Sequence, residues 1–319
     1  MSQIELRQNM RRFQLYGLSI ASDLDLLLPE DVDDAAPAVT ITLADPEFFK
    51  PFLANAAPAA DNKYYRHESF PDGSIYLGWN DIFEFFIASD GRAIFCGRRR
   101  DTFSEAYINY LLSFALSFAL LRMGDEALHA TVVESEGQAI GFLGESGAGK
   151  STLASYFLGK GSRLVTDDLL RVTFRDQSVI AHPGPQRIKL LPESAAELMQ
   201  GATRTVLMNP FTTKQLIVPA AAQRMDRGVP LRALYLLDRS EKIDEDNSVE
   251  AERLRSAEAA ITVIASTFNP VVTTPERLER QLRFAGQILS MVPMIRLSYP
   301  RRFDSLGSVY ELVVHGHRQ

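Results

Sequence analysis

The chain has 319 residues, a hydrophobic content of 46%, a charged content of 23% and a formal net charge of −6. These values are ordinary for a folded globular chain with room for two domains, and the negative charge argues against a general nucleic-acid binder. The single cysteine, Cys96, excludes an intramolecular disulfide and a cysteine-rich zinc site, and we interpret it as a buried apolar residue in a strand.

Residues 1–100 are predicted to form a strand-rich domain. β-Branched and aromatic residues dominate three short stretches, GSIYLGW, IFEFFIA and RAIFC. Turn sequences bound them at Asp72-Gly73 and at Asp90-Gly91. No group of residues in this domain suggests chemistry, and we interpret GRRRD, residues 97–101, as a solvated linker.

A long uncharged run follows at residues 106–121, AYINYLLSFALSFALL. It is shorter than the ~20 residues that a helix needs to span a bilayer. Asn109, Ser113 and Ser117 recur at four-residue spacing, which predicts a buried helix with one small, polar seam. The N-terminus has no apolar signal core. We therefore expect a cytoplasmic protein without a membrane partner.

From about residue 127 short apolar stretches alternate with helical ones, and residues 101–319 are predicted to form an α/β domain. We expect strands at ATVVES and QAIGFLG, joined at Glu136-Gly137, and at PLRALYLLD and MIRLSYP. KIDEDNSVEAER is predicted to be an exposed loop running into a helix. Thr274 and Pro275 begin an amphipathic helix. Its apolar positions are Leu278, Leu282, Phe284, Ile288 and Leu289.

Residues 144–151, GESGAGKS, match the pattern G-x-x-x-x-G-K-[ST] between a predicted strand and a predicted helix. Glycines let the backbone N–H groups turn toward one anion, and the helix adds its positive end. Lys150 is placed to reach the β and γ phosphates, and Ser151 to ligate Mg²⁺. The predicted nucleotide-binding set is Gly144, Glu145, Ser146, Gly147, Ala148, Gly149, Lys150, Ser151 and Thr152.

A metal beside this loop requires an acidic residue. Asp238 ends one apolar run, where a lone Asp is more often the cap of a turn. Asp167 and Asp168 end another, and adjacent carboxylates repel each other unless something binds them. One of the two can serve Mg²⁺ while the other accepts the proton of an attacking hydroxyl, or activates water in a simple nucleotide hydrolase.

These residues resemble the catalytic domain of HPr kinase/phosphorylase, which phosphorylates a serine on a small phosphocarrier protein. The resemblance rests on LHATVV with His129, the loop GESGAGKST and the following GSRLVTDD. It implies a P-loop domain with a mixed sheet, ATP and Mg²⁺ as cofactors, and an active centre that contains His129. It also implies that Asp167 is the catalytic base and that Asp168 lies near the metal with Ser151.

The chain departs from that family where the family places a glutamate metal ligand. Here the segment HPGPQRIKLLPES supplies Arg187 and Lys189 instead. The chain is more similar throughout to HPr-kinase-like proteins from lasso-peptide gene clusters, on YGLSIASDLDLLLP, LHA, PGPQRIKL and RLSYPRRF. Those proteins modify a precursor peptide at a serine. By that resemblance Arg187, Lys189 and Lys214 suit a peptide carboxylate or the transferred phosphate, or are solvated surface charges.

The resulting hypothesis is an ATP- and Mg²⁺-dependent serine kinase that acts on a peptide or small protein, with the C-terminal serine of a lasso precursor as one acceptor. The catalytic residues are then Asp167, His129 and Lys150. The alternatives are a nucleotide-binding regulatory protein and a small-molecule kinase or carboxykinase-like enzyme. Founding members of the resembled family are hexamers, so a homo-oligomer is an expectation that the residues themselves do not support.

Overall fold

The structure is a computed structural model. It describes residues 10–31, 36–54, 66–79, 83–97, 105–199, 205–207, 212–237 and 248–316. The chain divides into two compact units, Met1–Asp125 and Glu126–Gln319, and each has its own sheet. The predicted α/β class, with a strand-rich sheet in the N-terminal part, is confirmed.

The first unit contains a seven-stranded sheet in the order β1-β2-β3-β7-β6-β5-β4. Its strands are β1 Arg11–Leu15, β2 Leu18–Ser22, β3 Val39–Leu43, β4 Arg66–Ser69, β5 Ile75–Trp79, β6 Phe83–Ile87 and β7 Ala93–Gly97. The pairs β2–β3 and β3–β7 are parallel, and the other pairs are antiparallel. The three predicted stretches form β5, β6 and β7, with the predicted turns between strands. These predictions are confirmed.

Helices cover both faces of this sheet. α1, Pro46–Ala54, packs Phe48 with Phe86 and Phe95 on one face. The other face carries one long helix of three parts: α2 Glu105–Tyr110, a π-helical turn Leu111–Ala115, and α3 Leu116–Arg122. Successive strand residues point to opposite faces, so an aromatic-rich strand such as β6 needs cover on both.

The long helix therefore belongs to the first unit. The Tyr107 hydroxyl donates a hydrogen bond to the carbonyl of Gly97 across 3.2 Å, and the rings of Tyr110 and Trp79 lie 5.2 Å apart. The sequence pattern predicts this helix in the second domain, because the apolar face that it covers is not visible from its own residues. The extent of the two domains in functional terms stays a prediction. Residues 98–104, which include most of GRRRD, lie outside the described residues.

The second unit is built on a mixed sheet of seven strands in the order β11-β10-β8-β9-β15-β17-β16. These strands are β8 Ala127–Ser135, β9 Gln138–Leu143, β10 Arg163–Arg175, β11 Ser178–Ala181, β15 Val229–Leu237, β16 Glu250–Arg253 and β17 Met294–Ser298. β15 lies parallel to β9 and β17, and the remaining neighbours are antiparallel. β11 also pairs with β15, so five strands close on themselves.

The helices of the second unit lie on the two faces of this sheet. They are α4 Lys150–Gly159, α5 Pro192–Leu198, α6 Ser256–Ala265, α7 Pro275–Leu289 and α8 Leu306–His315. α4 and α8 share a buried apolar cluster with Val133 and Phe142, whereas α6 and α7 share one with Val132 and Leu143. Neighbouring residues of one strand therefore lie in different clusters. This is expected for a strand whose two faces are both covered, because successive side chains point to opposite faces.

A three-stranded sheet, in the order β12-β14-β13, lies beside α4 and α5. Its strands are β12 Ile188–Leu190, β13 Thr205–Leu207 and β14 Gln215–Ile217. In β12, Lys189 pairs with Leu216 of β14, and the strand contacts α4, the helix that follows the phosphate loop. This small sheet was not predicted.

Two predictions for the second unit are wrong. In the segment predicted as an exposed loop running into a helix, Glu250–Arg253 is an edge strand beside β17 and the helix begins at Ser256, while residues 242–247 lie outside the described residues. Leu278 and Leu282 are 51% and 61% exposed, because α7 turns Arg277 and Gln281 inward to hydrogen-bonding partners instead. The predicted N-cap at Thr274 is confirmed, since its side chain accepts from the N–H of Arg277.

Candidate functional site

The phosphate loop connects the end of β9 to the start of α4. Gly144 has φ +138°, and a Cβ atom there would lie 3.0 Å from the Cβ of Ala148. Gly149 has φ +93°, and a Cβ there would lie 3.3 Å from the Tyr299 hydroxyl. Both backbone conformations favour glycine, and a Cβ atom at either position would make a tight contact. The loop therefore approaches its neighbours, and any ligand, through backbone atoms.

Lys150 is the first residue of α4 and is 7% exposed. Its Nζ atom donates to the carbonyls of Gly144, across 2.7 Å, and of Glu145, across 3.1 Å. The ammonium group thus lies across the strand end of the loop. Ala148 is buried in the core under α4, so it supports the loop from below while residues 145–147 face solvent.

Asp167 lies in β10 directly beside the loop helix and is 7% exposed. Its Oδ1 atom accepts from the Ser151 hydroxyl across 2.9 Å and from the Thr131 hydroxyl across 2.6 Å. Its Oδ2 atom accepts from the backbone N–H of Lys189 across 2.8 Å. Three elements of the second unit therefore converge on this carboxylate.

Asp168 has a different set of partners. The Lys189 Nζ atom lies 2.6 Å from its Oδ2 atom, and the His129 Nε2 atom lies 3.3 Å from its Oδ1 atom. Burial favours the neutral acid, but the charge of Lys189 and the hydrogen bond with His129 outweigh it and hold the pKa of Asp168 well below its usual range. The side chain is a carboxylate throughout the physiological pH range.

The backbone explains how two neighbouring carboxylates reach the same region. Consecutive side chains of a regular strand point to opposite faces. Asp168 has φ +96°, and the pairing of β10 with β8 shifts register between Leu164 and Thr166. Lys189 touches both carboxylates as a result. A non-glycine residue with positive φ costs on the order of 1–3 kcal/mol and persists only where its surroundings hold it.

The three basic residues predicted for the site differ in their surroundings. Arg187 is 6% exposed, so its guanidinium is not a solvated surface charge. Lys214 is half-buried and precedes β14, where its backbone N–H donates to the Thr212 hydroxyl across 3.2 Å. The ammonium of Lys189 already faces Asp168. The structure thus gives these three side chains three different environments. Asp238 lies outside the described residues.

A cavity of about 640 Å³ opens beside the strand end of the loop. Its lining includes His129 from β8 and Gly144 and Glu145 from the loop. The rest of its lining is Ala148, Leu236, Leu237, Ile261, Thr262, Ala265, Ser266, Thr267, Phe268, Asn269 and Pro270. A ligand in this cavity lies next to the His129–Asp168 pair.

The loop that forms part of this lining, residues 266–270, is held from below by Arg277. This buried guanidinium donates to the carbonyls of Asn269 and Phe268, and to Val272 across 2.8 Å. It also pairs with Glu126 across 3.1 Å, and both side chains are 2% exposed. Glu126 directly precedes β8, the strand that carries His129. The pair therefore fixes the cavity wall relative to the imidazole.

Sequence reasoning missed Thr131 and Ser194. Thr131 lies two residues after His129 in β8, so the strand period places both on one face, and that spacing was available in the sequence. Ser194 lies in α5, where its hydroxyl is 3.1 Å from that of Thr152. No local signal connects positions that are so distant in the chain.

Within the described part of the chain, no group of three or more His, Cys, Asp or Glu side chains is arranged to hold a metal ion. Beside the loop, the Ser151 hydroxyl and the Asp167 carboxylate bring two oxygen atoms within 2.9 Å of each other. Among the helices that the structure describes, none is long and apolar enough to cross a membrane.

Comparison with known proteins gives partial matches. HPr kinase/phosphorylase of Limosilactobacillus reuteri (strain DSM 20016) is 34% identical over 84 residues, which is 26% of each chain. That of Lactobacillus delbrueckii subsp. bulgaricus is 32% identical over 85 residues, 26% of this chain and 27% of the relative. That of Bacillus pumilus is 34% identical over 67 residues, 21% of this chain and 22% of the relative. No family model matches the chain.

The chain spans about a quarter of the length of the curated relatives it matches, and over that part it is HPr-kinase-like in sequence. Among solved structures, the HPr(Ser) kinase/phosphatase from Coxiella burnetii aligns with 60% of this chain and 95% of that chain. The TM-score of this alignment is 0.33 and the sequence identity is 12%.

Proposed function

We propose that this protein is an ATP- and Mg²⁺-dependent serine kinase that phosphorylates a peptide or small protein. The observation that carries the proposal is the hydrogen bond from Ser151, in a G-x-x-x-x-G-K-S loop, to Asp167, whose neighbour Asp168 pairs with His129. Two neighbouring carboxylates thus connect the phosphate loop with a group that can accept a proton. The partial similarity to HPr kinase/phosphorylases supports the same reaction class.

The loop amides and Lys150 bind the phosphates. Backbone N–H groups at a helix N-terminus attract anions, and an ammonium in a partly closed site neutralises phosphate charge that water screens poorly. In the structure the Lys150 ammonium contacts two loop carbonyls. Those contacts exchange for phosphate oxygens when a nucleotide binds.

Ser151 and Asp167 fit Mg²⁺. This ion prefers oxygen ligands and is usually held by one or two carboxylates together with substrate phosphates and water, so a small protein ligand set suffices. When bound, Mg²⁺ neutralises charge on the phosphates. The contacts therefore favour Asp167 as the metal-side carboxylate, whereas the resemblance assigned that place to Asp168.

The proton of the acceptor hydroxyl passes to the His129–Asp168 pair. His129 lines the large cavity and 40% of its side chain is exposed, so an acceptor there can reach it. Asp168 orients the imidazole through its Nε2 atom and stabilises the positive charge that forms on it. Asp167 is not among the residues that line the large cavity, whereas His129 is, so we assign the proton to His129.

The acceptor in this proposal is a serine on a flexible peptide, such as the C-terminal serine of a lasso precursor. What motivates it is the sequence resemblance to lasso-cluster kinases in the segments YGLSIASDLDLLLP, PGPQRIKL and RLSYPRRF. The pairing of Lys189 with Asp168 and the burial of Arg187 do not favour these two residues as the site for a terminal carboxylate. Of the three basic residues predicted to bind the terminal carboxylate, we therefore retain Lys214.

Transfer of labelled γ-phosphate tests the proposal. Three acceptors are compared at one ATP concentration: a precursor peptide ending in serine, the same peptide amidated, and a purified phosphocarrier protein. We expect transfer to serine that is lost in Lys150→Ala and kept in Lys160→Ala, a matched lysine at the far end of α4. Amidation should lower kcat/KM about tenfold if the terminal carboxylate is bound.

The outcomes separate the alternatives. Faster transfer to the phosphocarrier than to the free-acid peptide would make the phosphocarrier the acceptor. Mg²⁺-dependent ATP binding without transfer to any hydroxyl would favour a nucleotide-binding regulatory protein. Wild-type affinity for ATP in Lys150→Ala would contradict the phosphate site itself.

A further inference from the structure

A second cavity, of about 210 Å³, borders the phosphate loop at its helical end. Its lining includes Gly149, the last loop residue, and Thr152 in the first turn of α4. The large cavity borders the opposite, strand end of the loop at Gly144 and Glu145. A ligand whose phosphates occupy the loop can therefore extend into the small cavity and leave the large one for an acceptor.

The small cavity has an aromatic wall next to the loop. Tyr299 is 6% exposed, and its hydroxyl lies against the backbone of Gly149. Phe303 is half-buried and also lines the cavity, so part of its ring surface is accessible. Flat aromatic surfaces beside a phosphate site suit a nucleobase, since every base offers a π-face for stacking.

The walls of the small cavity are fixed to the loop and to each other. Arg301 Nη1 donates to the carbonyl of Gly147 across 3.1 Å, which joins the aromatic segment to the loop. The Ser305 hydroxyl donates to the carbonyl of Arg302 across 2.7 Å and holds the turn that carries Phe303. On the opposite side, the hydroxyls of Ser194 and Thr152 lie 3.1 Å apart. The cavity is thus formed before any ligand arrives.

The size of the cavity limits what it holds. Pockets that enclose a whole small ligand measure about 300–1,000 Å³. At about 210 Å³ the cavity suits one end of a ligand whose remainder lies elsewhere. Arg301, Arg302 and Glu193 line it as well, so charged residues of both signs border the cavity.

We infer that the small cavity binds the nucleoside of a nucleoside triphosphate whose phosphates occupy the loop, with the ring of Phe303 against a face of the base. This inference rests on the proposed function, which supplies the nucleotide. Stacking recognises the π-face common to all bases, so the site adds affinity without choosing strongly between adenine and guanine.

Calorimetric dissociation constants test the inference without any acceptor. ATP, GTP and inorganic tripolyphosphate are titrated with Mg²⁺ into the wild type, Phe303→Ala and Phe303→Leu. Phe174→Ala is the matched control, since Phe174 is a half-buried ring of the same unit that lines neither cavity. We expect Phe303→Ala to weaken ATP and GTP alike by at least about fivefold. Tripolyphosphate, which lacks a nucleoside, should bind as before.

Phe303→Leu keeps apolar bulk and removes the π-face, so it carries the comparison if Phe303→Ala does not fold. The nucleoside site is overturned if the Phe303 variants that fold keep the wild-type ratio of ATP affinity to tripolyphosphate affinity, whether or not both affinities fall. A wild type that binds neither ligand overturns the proposed function and the nucleoside site together. Wild-type binding of both ligands with no preference for ATP overturns the nucleoside site alone.

Discussion

The hydroxyl of Ser151 donates a hydrogen bond to the Oδ1 atom of Asp167 across 2.9 Å, although the two residues lie on different elements, α4 and β10. This contact joins the phosphate loop to the strand that carries the acidic pair. It distinguishes the two carboxylates: Asp167 faces the loop, and Asp168 faces His129. The separate roles that we propose for Asp167 and Asp168 rest on these different partners.

Asp167→Asn should reduce the gain in ATP affinity that Mg²⁺ provides by about tenfold or more, because one charge-assisted contact contributes roughly 1.5–3 kcal/mol. Titration calorimetry with and without Mg²⁺ measures this gain. Asp176→Asn, in the exposed turn after β10, is the matched control. Retained Mg²⁺ dependence with abolished transfer would instead identify Asp167 as the base.

His129→Gln should slow phosphoryl transfer by about 10²–10⁴-fold, the usual contribution of a positioned base. Its nucleotide affinity should be unchanged, since the loop and Lys150 remain. Single-turnover transfer and calorimetry measure the two quantities separately. His315→Gln, on α8, is the control and should transfer at the wild-type rate. Transfer above about a tenth of the wild-type rate in His129→Gln would exclude the imidazole as the proton acceptor.

Lys189→Met should lower the free energy of unfolding at neutral pH. The variant should then lose less of this free energy than the wild type does when the pH is lowered. The pKa of Asp168 is held down in the folded protein, so its ion pair stabilises the fold fully above the ordinary carboxylate pKa of about 3.9. Below that value the unfolded chain takes up the proton first, and the stabilisation declines progressively as the pH falls toward the lower pKa of the folded state. Urea midpoints of the wild type and variant should therefore converge as pH falls from 5 to 3, and a constant difference would contradict the pairing.

Cys96 should not react with a thiol reagent in the folded protein at pH 8. Burial raises the pKa of its thiol far above the usual range, and the reactive species is the thiolate. Its side chain is fully buried in β7. A chromogenic disulfide reagent should label it only when urea unfolds the first unit, which makes the labelling rate a probe of that unit. Rapid labelling without denaturant would contradict the burial.

Arg277→Met should destabilise the second unit by about 3–5 kcal/mol, because it leaves the carboxylate of Glu126 buried with less compensation. Arg280 also contacts Glu126, so a value near the lower end is expected. Arg283→Met, on the same helix but 67% exposed, should cost less than about 1 kcal/mol. Urea unfolding followed by fluorescence or circular dichroism measures both. Equal effects of the two variants would contradict the buried pair.

Local patterns predicted the phosphate loop and most strands. The loop glycines, the turn at Glu136-Gly137 and the N-cap at Thr274 each depend on neighbouring residues alone, so the sequence contains the information that decides them. The nucleotide-binding set was identified in the same way, from one contiguous stretch. Its binding role stays a prediction.

Partners distant in the sequence were not predictable from those patterns. The positive φ of Asp168 depends on how β10 pairs with β8, and the position of Lys189 depends on a three-stranded sheet that no local signal announced. The exposure of Leu278 likewise follows from hydrogen bonds that Arg277 makes on the inner side of α7. In each case tertiary contacts outweigh the local preference.

The π-helical turn Leu111–Ala115 has a consequence for chain length. Its i→i+5 hydrogen bonds accommodate one residue more than an α-turn does. The Ser113 hydroxyl donates to the carbonyl of Asn109 across 2.7 Å and so satisfies an acceptor near the widened turn. Deleting one residue here would convert the turn to α-helix while α2 and α3 keep the sides they present to the sheet. A change of one residue in chain length can thus occur within a buried helix and does not require a change in a loop.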